Sequence, residues 1–375
     1  MSTANATVVG SGVLSDRSMR AACLVDGRDD LVVADLTIDG PRGREVVVRA
    51  QAVGLCHSDL HVVDGSLVRP RPIVLGHEAA GVVEAVGPDV SSVAVGASVV
   101  TCLVMPCGAC GRCRAGEEHL CADPAATLRG NDRARLELDG TPVVQMAGIG
   151  ALGEQIIVDE RALVAVPARV PPELAAVLGC AIVTGLGSVL NVAGVRRGER
   201  VAVIGCGGIG LAIIQGARIA GADSIVAIDL ADAKLDLARR LGATSVANAA
   251  DDDAVQAVVG TVDHAFEAVG RPATMELAVE LAAPGRAAYA VGILPEGSSV
   301  CLSAKALRRG KRLVGVFMGS TRPRRDIPRY VELWERGELD LASMVSDQLP
   351  LDAVNDGFAA LARGEVARAV VRFDD

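Results

Sequence analysis

The stretch Val201–Gly210, VAVIGCGGIG, decides the fold. Val201, Val203 and Ile204 give it the β-branched character of a buried strand, and the strand runs straight into Gly205, Gly207, Gly208 and Gly210. Gly205, Gly207 and Gly210 stand in the G-x-G-x-x-G spacing. The first glycine allows a tight turn, the second lets backbone approach a pyrophosphate, and the third lets the following helix close on the strand. The helix N-terminus then offers free N–H groups and a partial positive charge to phosphate. In a chain with 42 glycines such a match is weak alone, and its context strengthens it. A helix is predicted over Ile209–Ala220 and a second strand over Ser224–Ile228, followed by Asp229, 19 residues beyond Gly210. A carboxylate there accepts the adenosine ribose hydroxyls and repels a 2′-phosphate, which favours NAD over NADP. Lys234 lies one turn into a helix predicted around Ala231–Leu241. It is either a second ribose contact or part of a solvated helix face.

Further strands at Asp263–Glu267, Ala287–Gly292 and Leu313–Phe317 alternate with helical sequence. That rhythm predicts βαβ units and a parallel sheet. Residues 20 to about 165 differ: short Val-rich strands, Glu45–Ala50, Gly81–Val86, Ser98–Leu103 and Gln155–Val158, are separated by Gly, Pro and Asp. They predict a compact, mostly antiparallel β domain. The tail adds a helix over Ile327–Arg336 and a strand over Ala367–Phe373.

Composition agrees with this division. The chain has 375 residues, too many for one small domain. It is 50% hydrophobic with only seven aromatic residues, so Val, Leu, Ile and Ala must build the core. A formal charge of −9 and a pI near 5.2 argue against nucleic acid or an anionic membrane as partner. The N-terminal MSTANATVVGSGVLSDRS has neither a basic n-region nor a long apolar core, and is expected to be a mobile leader, not a signal peptide. The longest uncharged run, Val201–Ala217, is short for a membrane span and broken by glycines. The expected protein is soluble and cytoplasmic.

Five of the ten cysteines fall within 20 residues. Cys107, Cys110, Cys113 and Cys121 form C-x2-C-x2-C-x7-C, with two-residue gaps that let successive thiolates reach one ion at ~2.3 Å. Four sulfurs make a closed tetrahedral site, so a zinc here is structural. Such a lobe also occurs in nucleic-acid and protein-binding modules and does not give a function. Cys102 falls outside the pattern and is expected to be a core thiol. More dispersed are Cys56-His57-Ser58-Asp59 with His61, then His77-Glu78, then Cys180. Two Cys and a His on one zinc leave a fourth position for water or substrate. By spacing alone, Cys56 and Cys180 are as readily buried structural thiols.

With these segments together, GLCHSDLH (54–61), GHEAAG (76–81), the four-cysteine lobe, LGCAIVTG (178–185) and IGCGGIG (204–210), the chain resembles the zinc-dependent medium-chain alcohol dehydrogenases from about residue 20 to 373. The resemblance implies that Cys56, His77 and Cys180 hold a catalytic zinc, with Glu78 an occasional ligand and Asp59 orienting His77. It implies that Ser58 hydrogen-bonds the alcohol and that His61 completes a proton relay to solvent. His57 and Arg368 would meet the pyrophosphate, although both are compatible with ordinary surface positions, and Thr184 would pack on the nicotinamide. His119 and His264 match no motif and are expected to be structural. Leu67, Leu103, Met146, Ala147 and Ile293 would surround the substrate.

The implied fold is α/β: a GroES-like β catalytic domain with the zinc lobe over 1–181, a Rossmann doubly wound parallel sheet binding NAD over 182–324, and a return to the catalytic domain over 325–375. The implied activity is reversible hydride transfer between NAD and a primary alcohol or aldehyde, medium-chain or aromatic to suit an aliphatic pocket, with two zinc ions per chain. Relatives acting on the formaldehyde–glutathione adduct usually carry an acid where Leu67 stands, while users of mycothiol adducts are harder to set apart. Cys180 counts against polyol dehydrogenases. The long Cys121–Cys180 stretch resembles the longer, class III-like branch, usually homodimeric. A catalytically silent nucleotide-binding regulatory protein is the alternative of another class, disfavoured by the full set of zinc ligands with Ser58 and His61.

Overall fold

The computed structural model describes residues 17–123 and 134–373. Most of the expected leader, residues 1–16, lies outside the described residues. Its last two residues do not belong to a leader: Arg17 and Ser18 begin a strand, Arg17–Leu24, paired antiparallel with Val32–Ile38.

Strands Arg17–Leu24, Val32–Ile38, Leu136–Leu138, Thr141–Gln145 and Ile73–Val74 close into a small barrel. Beside it, a seven-stranded sheet centres on Glu45–Gly54, flanked by Glu78–Val86 and Ala369–Arg372. Gln155–Asp159 also pairs with Glu45–Gly54. The chain therefore returns to this sheet after leaving it, since Asp347–Pro350 and Ala369–Arg372 join it from the far end of the sequence.

The third sheet is parallel throughout. Its order is Ser245–Asn248, Ser224–Asp229, Arg200–Ile204, Val262–Glu267, Ala282–Ala290, Arg312–Gly315. Numbered along the chain this is 3-2-1-4-5-6, the dinucleotide-binding order, whose switch point lies between Arg200–Ile204 and Val262–Glu267. The expected helix at 209–220 is Gly208–Ala220. The helix expected from Ile327 begins instead at Pro323, because a proline at the first helical position lacks only an N–H that would be unpaired anyway.

Between the two halves run Pro172–Ala176, the 3-10 turn Val177–Gly179, the helix Ala181–Gly187 and a wide π-turn to Ala193. Gly179 is required here: a Cβ on it would stand 1.8 Å from the Thr101 carbonyl oxygen. No single helix among the described residues is long and apolar enough to cross a membrane. One bent pair, Pro172–Gly179 with Ala181–Ala193 at 52°, has the length and composition. Most of its residues lie in a core that includes Ala52, Cys56 and Val100 of the β half and Val201, Leu211 and Phe266 of the parallel sheet. One apolar core thus spans both halves and fixes the cleft between them.

Candidate active site

Cys56 follows strand Glu45–Gly54 and caps the helix His57–Val63. Three residues on, Asp59 is fully buried and its carboxylate ties two segments together. One oxygen accepts the Cys56 N–H at 3.1 Å, while the other accepts the Gly76 N–H at 2.8 Å and lies 3.3 Å from His77 Nδ1. That contact turns His77 Nε2 the other way, where it is buried without a hydrogen-bond partner. Thr101 secures the same segment, donating to the His77 carbonyl and accepting the Ala79 N–H, each at 2.8 Å. Close packing of Gly179 on Thr101 then brings Cys180 alongside.

Ligand atoms of Cys56, His77, Glu78 and Cys180 all lie within 4.8 Å of one another, and all four residues are buried. An imidazole nitrogen, two thiols and a carboxylate form a donor set suited to zinc, and the orphaned His77 Nε2 supplies the vacant bonding direction. The Cys56 thiol is held well below its ordinary value, chiefly by a hydrogen bond from Cys180, with the Arg368 charge and His77 adding to it. Burial pushes the Glu78 carboxyl up to about 8, against the pull of Arg368.

Arg368 is only 3% exposed. Its Nη1 donates to the Leu55 carbonyl at 3.0 Å and its Nη2 stands 3.3 Å from Glu78 Oε1. The same guanidinium packs on the glycine turn, where a Cβ on Gly208 would meet Nη2 at 3.0 Å. It therefore links the metal group to the start of helix Gly208–Ala220 and is no surface residue. On the other side of the turn, Asp229 accepts the Cys206 N–H at 2.7 Å and the Ala231 N–H at 3.0 Å. Lys234 is half-buried, with Nζ beside Gly364 and its charge felt by Cys206 and His57. Of its two readings, the solvated face fits this position less well.

Ser58 and His61 share one face of the short helix, three residues apart. Ser58 Oγ lies 3.7 Å from Cys56 Sγ, and His61 Nδ1 is buried without a hydrogen bond, 3.8 Å from Asp64. His57 is exposed at the helix start. Thr184 sits one turn beyond Cys180, 5% exposed. Leu67 and Met146 pack into one apolar cluster, and Leu103 touches both this cluster and the one holding Cys56 and Cys180. Ala147 and Ile293 are exposed and outside both.

The four sulfurs of Cys107, Cys110, Cys113 and Cys121 also lie within 4.8 Å of one another. Backbone N–H groups point at them: Cys110 N–H to Cys107 Sγ at 3.3 Å, Cys113 N–H to Cys110 Sγ at 3.4 Å, Cys107 N–H to Cys121 Sγ at 3.4 Å. Such bonds stabilise thiolates, and the Cys110 thiol is lowered to about 6 by those from Cys113 and Ala122. Cys102 is a fully buried core thiol.

Two residues near the cleft carry no sequence motif. Glu267, fully buried at the end of its strand, accepts the Val269 and Gly270 N–H groups and the Thr274 hydroxyl, shaping the loop beside the glycine turn. Met318, with φ +49°, accepts the Thr184 hydroxyl on its sulfur at 3.6 Å. A carboxylate closing a βα stretch hints at the first; nothing local announces the second.

Residues 42–168 match the family model described as "Alcohol dehydrogenase GroES-like domain", and residues 208–336 match "Zinc-binding dehydrogenase". The chain is 33% identical over 372 residues to the S-(hydroxymethyl)glutathione dehydrogenase of Paracoccus denitrificans, covering 94% of this chain and 99% of that one. It is 34% identical over 368 residues to the protein of that name from Haemophilus influenzae, covering 94% and 97%. Among solved structures, an alcohol dehydrogenase zinc-binding domain protein from Burkholderia ambifaria superposes with TM-score 0.90 at 33% identity, covering 96% of this chain and all of that one. The benzyl alcohol dehydrogenase of Acinetobacter calcoaceticus gives 0.87 at 30%, with the same coverage. The chain belongs to the zinc-dependent medium-chain alcohol dehydrogenases, class III-like, and is an NAD-dependent oxidoreductase with a GroES-like and a Rossmann-type domain.

Proposed function

We propose that the protein interconverts a primary alcohol, medium-chain or aromatic, and its aldehyde, using NAD. The observation that carries this is the aliphatic wall: Leu67 and Met146 pack into one apolar cluster, which Leu103 joins to the core holding Cys56 and Cys180, and none of the three is charged. Asp229, fixed by two backbone N–H groups, places a carboxylate at the end of the second strand, where an acid disfavours a 2′-phosphate, which supports NAD. A second reading, oxidation of a thiol–formaldehyde adduct, is favoured by the names of the Paracoccus and Haemophilus relatives. Assembly as a homodimer completes the proposal, since Arg312–Gly315 is an outer edge strand of the parallel sheet and such edges pair readily.

In the proposed mechanism Cys56, His77 and Cys180 would hold the catalytic zinc, and Asp59 fixes the ring of His77. A zinc held there would supply the Lewis acidity that lowers the pKa of an alcohol oxygen, and a bound NAD would supply the hydride acceptor. Ser58 Oγ accepts the alcohol proton, and His61 carries it outward. Arg368, His57 and the Gly205–Gly210 turn would hold the pyrophosphate, and Asp229 with Lys234 would hold the ribose. Thr184 would back the nicotinamide.

The deciding experiment follows NADH formation with hexanol, benzyl alcohol, and formaldehyde with and without glutathione or mycothiol. Turnover of the free alcohols is expected; activity confined to a thiol adduct replaces the first reading by the second. Ser58→Ala is expected to lower kcat about 10²–10⁴-fold, the usual worth of a positioned proton acceptor, while zinc content stays unchanged. A variant with the wild-type pH–rate profile would take Ser58 out of the proton path.

A further inference from the structure

The run Met318-Gly319-Ser320 holds three consecutive residues in the left-handed region, with φ of +49°, +58° and +49°. Glycine adopts this conformation freely, whereas methionine and serine do so only where their surroundings over-determine it. The run follows strand Arg312–Gly315 at the carboxyl end of the parallel sheet, where dinucleotides lie. It is pressed against the helix that starts at Cys180: a Cβ on Gly319 would stand 2.4 Å from the Val183 carbonyl oxygen and 2.7 Å from that of Thr184. A cofactor reaching from Gly205–Gly210 to the metal group must put its reactive end along this helix face.

Three side chains hold the run. Thr184 donates its hydroxyl to Met318 Sδ at 3.6 Å, and Asn191 Nδ2 donates to the Gly319 carbonyl at 3.2 Å. The third hold comes from the four-cysteine lobe, where His119 Nε2 lies 3.1 Å from Ser320 Oγ. Arg322 strengthens that junction by donating to the Gly116 carbonyl at 3.1 Å. His119 stands between Cys113 and Cys121, so its place depends on the folded lobe.

We propose that His119 is a positioning residue which, from the zinc lobe, holds the run Met318–Ser320 against the helix that follows Cys180. The lobe then does more than stabilise the fold: it fixes the run beside the helix face along which the reactive end of a cofactor must lie. This goes beyond the choice of alcohol and holds for either substrate class.

The test measures NADH binding by its fluorescence enhancement on the intact zinc-loaded enzyme, with steady-state kinetics, zinc content and thermal melting alongside. His119→Ala is expected to raise the NADH Kd and the NAD KM about five-fold, the effect of one ordinary hydrogen bond, with a smaller change in kcat. His119→Gln, which keeps a donor near the Nε2 position, is expected to restore binding to within about two-fold of wild type. Ser320→Ala, outside the lobe, is expected to match His119→Ala, and the double variant to be no worse than either, as two partners in one contact require. A lowered melting temperature with unchanged NADH Kd in both single variants overturns the proposal. If His119→Ala loses zinc or misfolds, Ser320→Ala decides alone, and unchanged NADH affinity there overturns it.

Discussion

Gly210→Ala is expected to abolish measurable NADH binding, raising its Kd at least about 100-fold, and to lower the melting temperature. A Cβ at this position would stand 1.7 Å from the Gly205 carbonyl oxygen and 2.9 Å from its carbon, both backbone atoms that cannot rotate away. Relief demands that helix Gly208–Ala220 retreat from strand Arg200–Ile204 by more than 1 Å, an overpacking strain of about 1–3 kcal/mol on the fold. The same retreat opens the turn whose N–H groups face the phosphates and pulls Gly208 from Arg368. Gly207→Ala separates the two effects. Nothing lies within 4 Å of a Cβ there, so the apo protein should melt as wild type while the methyl group obstructs the pyrophosphate. Gly210→Ala with wild-type NADH affinity would mean that the cofactor does not lie on this turn.

The glycine turn is legible in sequence because its meaning is local: strand, turn, helix and Asp229 lie within 30 residues, and the hydrogen bond from Cys206 N–H to Asp229 joins neighbouring strands. The lobe is legible for the same reason. The metal group is not, since Cys56 and Cys180 stand 124 residues apart and only tertiary packing, Gly179 on Thr101 and Asp59 on Gly76, brings them together. Resemblance to a family supplies what spacing cannot. The barrel strand Arg17–Leu24 escapes a propensity argument because Arg, Ser and Ala dominate it, and ring closure stabilises it. Met318 and Ser320 are invisible for a related reason: their left-handed conformation is imposed by Thr184, Asn191 and His119 from elsewhere in the chain.

Removing a ligand from each cysteine-containing group should give opposite results. Cys180→Ala leaves Cys56, His77 and Glu78 within reach of an ion, but Glu78 is already engaged by Arg368 at 3.3 Å. Zinc content is therefore expected to fall towards one ion per chain on dialysis against a chelator. Any ion kept through Glu78 uses the position the substrate oxygen needs, so turnover falls at least about 10³-fold either way, the worth of several kcal/mol of Lewis-acid stabilisation. The melting temperature should move little, because Cys180 sits in a core of Val177, Leu178 and Ile182 that a smaller side chain leaves intact. Cys113→Ala acts differently. Among its described residues the lobe contains one four-residue helix and one 3-10 turn, and Cys113 is the one of its four thiols that is buried, so metal binding there is folding energy. Its zinc is expected to be lost with a clear fall in melting temperature, and NADH affinity to weaken as His119 loses its place beside Ser320. Equal losses of turnover and of stability in the two variants would refute the division into a catalytic and a structural ion. Full turnover in Cys180→Ala would move the chemistry away from the Cys56–His77–Cys180 group altogether.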